Sequence, residues 1–104
     1  MKKVIRDGKV AVLVSPSYGA GWYTWAGTDG DESMLFDPDM VAAVEAGDYE
    51  KATAISKTKW PQVYDGGIDD LVVEWVPVGA QFPIHEYDGS ETIEFYNPGS
   101  YFTA

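Results

Sequence analysis

The sequence predicts an α+β domain: an antiparallel sheet of about five strands built from two hairpins, with a short helical pair packed on one face. Three observations lead to this prediction. Asp-Gly pairs at residues 7–8 and 88–89 are each flanked by strand-forming runs, and Asp-Pro-Asp at residues 37–39 is typical of a helix start. A length of 104 residues suits one core, so we expect a single domain over residues 1–104.

Composition and charge exclude several classes of protein. The chain has no cysteine, which excludes disulfides and thiolate sites, and its net charge of −10 disfavours contact with nucleic acid. The apolar run at residues 10–14 is too short for a signal peptide or a membrane span. The sequence therefore predicts a cytoplasmic protein with no cofactor, no metal, and no direct binding of nucleic acid or membrane.

The first hairpin is predicted over residues 3–14. Asp7-Gly8 is a favoured two-residue turn, because both of its positions need positive φ. Closing the turn there pairs Arg6 with Lys9 and Ile5 with Val10. The second arm, residues 10–14, is apolar on both faces, which indicates an interior strand.

The aromatic loop, residues 15–27, follows this strand with the sequence S-P-S-Y-G-A-G-W-Y-T-W-A-G. Its glycines allow unusual backbone conformations and close approach, while its rings combine flat faces with polar edges. Such a stretch suits either a binding loop or a core loop that packs its aromatics. Residues 21–26 are expected to form a short strand, and residues 28–33 a polar loop. The candidate ligand-binding residues of the loop are Tyr18, Gly19, Gly21, Trp22, Tyr23 and Trp25.

The middle of the chain predicts two short helices, at about residues 38–46 and 48–60. Asp37 and Asp48 are suited to cap them, Pro38 fits the first turn of the first helix, and Gly47 is a natural C-terminal stop. Neither helix is long enough to be stable without packing on the sheet.

The last third predicts a strand at residues 71–76 and a hairpin of residues 81–87 and 91–96. A turn at Asp88-Gly89 places Ile84 opposite Ile93 and Phe82 opposite Phe95, so that all four apolar residues share one face. Pro83 lacks a backbone donor, which predicts an edge position for the first arm.

The motifs for chemistry are weak. The G-A-G of residues 19–21 lacks the remaining glycine and the helix of a dinucleotide fingerprint, and no G-x-S-x-G elbow is present. His85 is the single histidine, and it suits either an acid–base pair or a structural role. Glu86 and Glu91 are predicted to face each other, which is unfavourable unless a cation or solvent relieves the repulsion. With Asp88 they offer few ligands for a divalent ion.

Two classes of function remain. The aromatic rings suit stacking on a planar base, and the glycine backbone with Arg6 and Lys9 suits an anionic group. This predicts a non-enzymatic protein that binds a nucleotide-like small molecule, with His85 among the site residues and sites at the subunit boundaries of a homo-oligomer. The alternative is an acidic inhibitor that contacts another protein. An enzyme ranks third, because no nucleophile–base pair is evident.

Three segments resemble small accessory proteins of tailed bacteriophages: V-I-R-D-G-K-V-A-V-L-V-S-P at residues 4–16, G-A-G-W-Y-T-W at residues 19–25 and I-H-E-Y-D-G-S-E-T-I-E at residues 84–94. The resemblance implies a protein acting in the host cytoplasm. One class of such phage proteins consists of sponges that sequester nucleotide-derived immune signals. Another class consists of acidic inhibitors that occupy the nucleic-acid site of a host enzyme. The aromatic loop favours the first class and the net charge favours the second.

Overall fold

A computed structural model describes residues 1–93 and 101–104, with the side chain of Tyr101 excepted. The chain forms helices and antiparallel sheets, which confirms the predicted α+β class. The helices are α1 (Ser33–Phe36), α2 (Pro38–Glu45) and α3 (Tyr49–Lys59). The strands are β1 (Ile5–Arg6), β2 (Lys9–Val14), β3 (Val72–Pro77), β4 (Gln81–Tyr87), β5 (Ser90–Ile93) and β6 (Tyr101–Thr103).

The strands form two three-stranded sheets, in the orders β1-β2-β3 and β5-β4-β6, where about five strands in one sheet were predicted. Strand β2 lies at the centre of the first sheet, and residues Val10–Val14 are almost fully buried on both faces. Its two faces belong to different cores. Ala11 and Leu13 pack against α2 and α3, whereas Val10 and Val12 pack with α1 and Phe82. The interior position predicted for this strand is confirmed.

Both Asp-Gly hairpins have the predicted turn and register. Asp7 and Asp88 each have φ of 51°, and the glycines that follow have φ of 75° and 86°. Arg6 pairs with Lys9 in the first hairpin, and Ile84 pairs with Ile93 in the second. Positive φ at both turn positions matches the right-handed twist of the flanking strands.

The helices also begin where the sequence predicts. The carboxylate of Asp37 accepts from Met40 N at 3.0 Å, and that of Asp48 accepts from Lys51 N at 3.0 Å. These bonds satisfy backbone donors that the first turn leaves without a helical partner. Gly47, with φ of 70°, separates the two helices as expected.

Three local predictions are wrong. Residues 21–26 do not form a strand, because Tyr23–Trp25 is a 3₁₀ turn. The polar loop predicted at residues 28–33 includes a second 3₁₀ turn, Gly27–Asp29, and the start of α1. Strand β4 is not an edge strand, since it pairs with β6 over Gln81–Pro83 and with β5 over Ile84–Tyr87.

The core of the second hairpin matches the sequence in part. Phe82 is fully buried, while Ile84 and Ile93 are half-buried against the same cluster. Phe82 is paired with Phe102 of β6. The predicted partner, Phe95, and the end of the predicted strand at residue 96 lie outside the described residues.

Candidate functional site

The aromatic loop is fastened to the second hairpin by one buried carboxylate. The side chain of Glu91 is fully buried, and it accepts hydrogen bonds from Ser15 N at 2.9 Å, Trp22 N at 2.9 Å and Thr24 N at 3.0 Å. The hydroxyl of Thr24 donates to the same carboxylate. Hydrogen bonds from several N–H groups are a strong way to stabilise a buried carboxylate. Glu91 therefore fixes the backbone of the loop at three points.

These bonds also explain why the loop does not form a strand. The N–H groups of Trp22 and Thr24 point to Glu91, so they are not available to a neighbouring strand. Trp25 N then donates to Trp22 O at 3.2 Å and closes the 3₁₀ turn. A single acidic side chain, distant in sequence, thus determines the local conformation.

Further contacts join the loop to the turn of the second hairpin. Gly19 N donates to Asp88 O at 2.6 Å, and Ser90 Oγ donates to Pro16 O at 2.5 Å. Gly89 lies so close that an added Cβ would be 2.9 Å from Gly19 N and 2.8 Å from the Trp25 ring. Glycine is required there because the two backbones touch.

The predicted face-to-face pair, Glu86 and Glu91, is confirmed, and the structure shows how it is tolerated. Glu91 turns inward to the loop donors, whereas Glu86 is exposed and accepts from Gly89 N at 2.7 Å and Trp25 Nε1 at 3.1 Å. These two hydrogen bonds, the one from Gly89 first, lower the pKa of Glu86 below its ordinary value. Within the described ranges no group of three or more His, Cys, Asp or Glu side chains is placed to hold a metal ion.

Two pairs of exposed rings lie at this junction, and we call the four rings the aromatic face. Their exposed fractions are 73% for Tyr18, 37% for Trp25, 43% for Tyr64 and 69% for Tyr87. Tyr18 packs edge-on against Tyr87 at 6.1 Å, and Trp25 packs against Tyr64 at 5.3 Å between ring centroids. The hydroxyl of Tyr64 donates to Gly19 O at 3.1 Å, which links the two pairs. Large exposed rings grouped in this way are a candidate interaction surface.

Four acidic residues lie next to residues of the aromatic loop or of the aromatic face, through a hydrogen bond or in the chain. Glu86 is bonded to Trp25, Asp70 accepts from Ser17 Oγ at 3.2 Å, and Asp88 is bonded through its carbonyl to Gly19. Asp65 directly follows Tyr64 and is also exposed. We call Asp65, Asp70, Glu86 and Asp88 the acidic rim. The ion pairs among the described residues involve other acids, Glu45, Asp37 and Asp39, so they leave the charge of this rim in place.

Two of the predicted site residues, Trp22 and Tyr23, are buried or half-buried. Trp22 is fully buried, donates from Nε1 to Met34 O at 2.8 Å, and packs edge-on against Trp60. Tyr23 is half-buried and packs edge-on against Phe102. Burial, with Glu32 and Asp31 nearby, raises the pKa of Tyr23. The ring of Trp22 offers no surface to a ligand because it fills the core.

The predicted basic residues lie at the other end of the first sheet. Strand β2 separates Lys9 from Ser15 by six residues, or about 20 Å at ~3.3 Å per residue. The guanidinium of Arg6 forms a two-point ion pair with Glu45 at 2.7 and 2.8 Å, and its Cζ lies 5.3 Å from the centre of the Trp75 ring. Arg6 and Lys9 were the expected source of positive charge for a ligand at the aromatic loop. The structure does not bring them there.

Of the remaining candidates, Gly19 and Gly21 lie beside the aromatic face, whereas His85 does not share the side of β4 that carries Glu86. Gly21 lies beneath Trp25, where an added Cβ would be 2.3 Å from the ring, and Gly19 has φ of 74°. His85 is exposed and pairs with Thr92, next to Glu86 in the chain but on the other face of β4. Its charge contributes the smallest of the effects that lower the pKa of Glu86.

Sequence reasoning missed Tyr64, Tyr87 and the role of Glu91. A signal for Tyr64 was present, since Gly66-Gly67 follows it and repeats the glycine–aromatic composition of the loop. An added Cβ at Gly67 would be 1.9 Å from Ala20 O, so this segment packs directly on the loop. No comparable local signal distinguishes Glu91 from the other acids, because its partners are about seventy residues away.

The comparisons with known proteins are negative throughout. No family model, curated protein or solved structure matches this chain. No helix within the described ranges is long and apolar enough to cross a membrane.

Proposed function

We propose that this protein is a non-enzymatic binding protein whose aromatic face docks on a basic surface of a partner protein. The observation that carries the proposal is the grouping of Tyr18, Trp25, Tyr64 and Tyr87 beside the acidic rim. Rings at the centre with polar groups around them are the arrangement typical of protein interfaces.

The charge distribution supports a basic partner. All seven Lys and Arg residues lie between residues 2 and 59, whereas the segments that supply Tyr64, Tyr87 and the rim contain none. Opposite charge across an interface raises the association rate and rejects partners of like charge. The negative charge of this rim would repel an anionic ligand.

The rigidity of the face supports binding further. Glu91 holds the loop at three backbone donors, and Gly89 and Gly67 pack directly against it. Rings held in place lose little conformational entropy on binding. The resemblance to phage accessory proteins makes a host enzyme the expected partner, with the acidic rim occupying its nucleic-acid site.

Binding of a nucleotide-like small molecule stays a prediction from the sequence. The exposed rings of Trp25 and Tyr64 still offer faces on which a base could stack. Arg6 and Lys9, the residues expected to bind the anionic group, lie elsewhere. The same experiment can test both functions.

The chain provides a matched pair of variants for the test. Asp88→Asn and Asp7→Asn each remove one negative charge from the first position of an Asp-Gly turn with φ of 51°, a conformation that Asn also adopts readily. Asp88 is on the acidic rim, whereas Asp7 is at the opposite end of β2. The probe is an octapeptide of alternating arginine and lysine, titrated at 20 mM and 150 mM salt.

Under the proposal the peptide binds more weakly at the higher salt, and Asp88→Asn weakens it by about 2- to 5-fold through loss of a nearby charge. Asp7→Asn leaves the affinity unchanged. Equal effects of the two variants would mean that the peptide senses net charge and not this face, and the proposal would be wrong. A parallel titration with mono- and cyclic nucleotides tests the alternative, which requires binding that Arg6→Ala weakens.

A further inference from the structure

We infer that the aromatic face recognises an arginine side chain, with the guanidinium placed over Trp25 and paired with Glu86. This inference rests on the proposed function and specifies the chemical group that the face binds. A second site in the same molecule supports it, since an arginine there lies over a tryptophan ring and pairs with a glutamate.

The occupied site lies at the first hairpin. There Arg6 places its guanidinium over the Trp75 ring, with Cζ 5.3 Å from the ring centre, and pairs both terminal nitrogens with the Glu45 carboxylate at 2.7 and 2.8 Å. The planar cation stacks on an aromatic face while its fork of donors binds the carboxylate at two points. Each of these interactions uses a different property of arginine.

The aromatic face also holds a tryptophan beside a glutamate, Trp25 and Glu86, which are joined directly by a hydrogen bond. Trp25 Nε1 donates to Glu86 at 3.1 Å, so the carboxylate is held at the edge of the ring. In the occupied site, Glu45 pairs with the cation that lies over the Trp75 ring. The segments that supply the face contain no Lys or Arg. We therefore expect a partner to provide the cation.

The hydrogen bonds to Glu86 suit a second donor. Gly89 N and Trp25 Nε1 both donate to the same oxygen, Oε2. The other oxygen, Oε1, accepts neither of these two hydrogen bonds, and we expect it to receive a guanidinium nitrogen. Because Glu86 is exposed, a side chain arriving from solvent can reach it without any rearrangement of the hairpin.

Arginine fits this site better than lysine for a physical reason. A guanidinium is planar, weakly hydrated and able to bond the carboxylate while it stacks, whereas an ammonium is a strongly hydrated point charge. Simple attraction to the acidic rim does not distinguish the two cations. A preference for arginine is therefore the specific consequence of the ring and the carboxylate acting together.

The experiment compares two octapeptides that alternate glycine with four arginines or with four lysines. Binding is followed on the ¹⁵N-labelled protein through the indole N–H resonances of Trp25 and Trp75. We expect the arginine peptide to bind about fivefold tighter or more, and to shift the resonance of Trp25 while that of Trp75 stays in place.

Two variants test the groups separately. Trp25→Leu keeps an apolar side chain but removes the ring, and Glu86→Gln keeps an acceptor for the indole N–H but removes the charge. Each should reduce the preference for arginine to about twofold or less. Thermal melts establish that each variant is folded, and the Glu86→Gln result stands even if Trp25→Leu unfolds the domain.

The outcomes separate this inference from the proposed function. If both peptides bind equally well and Asp88→Asn weakens both, the basic-partner function holds and the arginine inference is wrong. If neither peptide binds, the proposed function fails as well. A preference for arginine that persists in both variants would also overturn the inference, because it would then arise from other groups.

Discussion

The aromatic loop has an inner half around Trp22, which faces the core, and an outer half around Trp25, which faces the surface. Trp22 and Trp25 are three residues apart, yet the first is fully buried and the second is 37% exposed. Trp22 bonds to Met34 O in the core, whereas Trp25 bonds to the exposed Glu86. Because the 3₁₀ turn is held by Glu91, one ring points into the core and the other to the surface. Composition alone does not separate a core aromatic from an exposed one.

The largest expected effect is on the inner half. Trp22→Ala should lower the free energy of unfolding by about 3–5 kcal/mol, because it leaves a large cavity between the loop, Trp60 and α1. Trp25→Ala, its matched control, should cost less than half as much, since its ring is partly exposed. Chemical denaturation of both variants measures this difference. Equal losses of stability would abolish the distinction between the two halves.

The next effect concerns the carboxylate that anchors the loop. Glu91→Gln replaces one oxygen with an amino group that faces backbone donors, and it removes the charge from three N–H bonds. Charge-assisted hydrogen bonds contribute about 1.5–3 kcal/mol each, against about 0.5–1.5 for neutral ones. We therefore expect a loss of about 2–4 kcal/mol, measured by urea denaturation.

Glu86→Gln is the control for that experiment. It makes the same substitution at the residue paired with Glu91, but on an exposed side chain. The denaturation midpoint should change little. If Glu86→Gln destabilises the protein as much as Glu91→Gln does, then burial and the loop donors do not account for the role of Glu91.

A smaller effect tests the contact between the loop and the hairpin turn. Gly8 and Gly89 occupy the same position of the same turn type, with φ of 75° and 86°, but an added Cβ meets nothing within 4 Å at Gly8. Gly8→Ala should cost about 1–2 kcal/mol of backbone strain alone. Gly89→Ala should cost roughly 1 kcal/mol more, since the loop must move away.

The indole resonance of Trp25 provides an independent check on this comparison. It should shift in Gly89→Ala, whose added methyl group would meet the ring, and stay in place in Gly8→Ala. Identical stabilities together with an unchanged Trp25 resonance in both variants would show that the loop does not press on Gly89.

The smallest expected effect is the pH dependence of the outer half. The pKa of Glu86 is lowered by the Gly89 N–H and by the indole N–H of Trp25. Its folded pKa thus lies below its unfolded one, so the contribution of Glu86 to stability is present above pH 4.5, its ordinary pKa, and is lost as the pH falls through the lowered value. An NMR titration of the Trp25 indole N–H should show a midpoint below 4.5, absent in Glu86→Gln.

Much of the fold could be predicted from local sequence. The two Asp-Gly turns, the caps at Asp37 and Asp48, and the interior strand Val10–Val14 all depend on residues within a few positions of each other. Turn conformation, helix capping and apolar patterning are local properties, which explains why these predictions are confirmed. The errors occur where distant segments meet. Strand β4 pairs with β6 as well as with β5, and the conformation of residues 21–26 is set by the bonds to Glu91 and not by their own strand-like pattern.

The sequence by itself thus determined the turns, the helix starts, the buried central strand and the location of an aromatic–glycine segment. Tertiary structure decided which rings of that segment reach the surface. It added Tyr64 and Tyr87 to them, and it placed Arg6 and Lys9 about 20 Å away, at ~3.3 Å per residue of strand. The physical reason is that a ring is buried or exposed according to contacts made across the whole chain. Here the deciding contacts join Glu91 to backbone N–H groups at residues 15, 22 and 24.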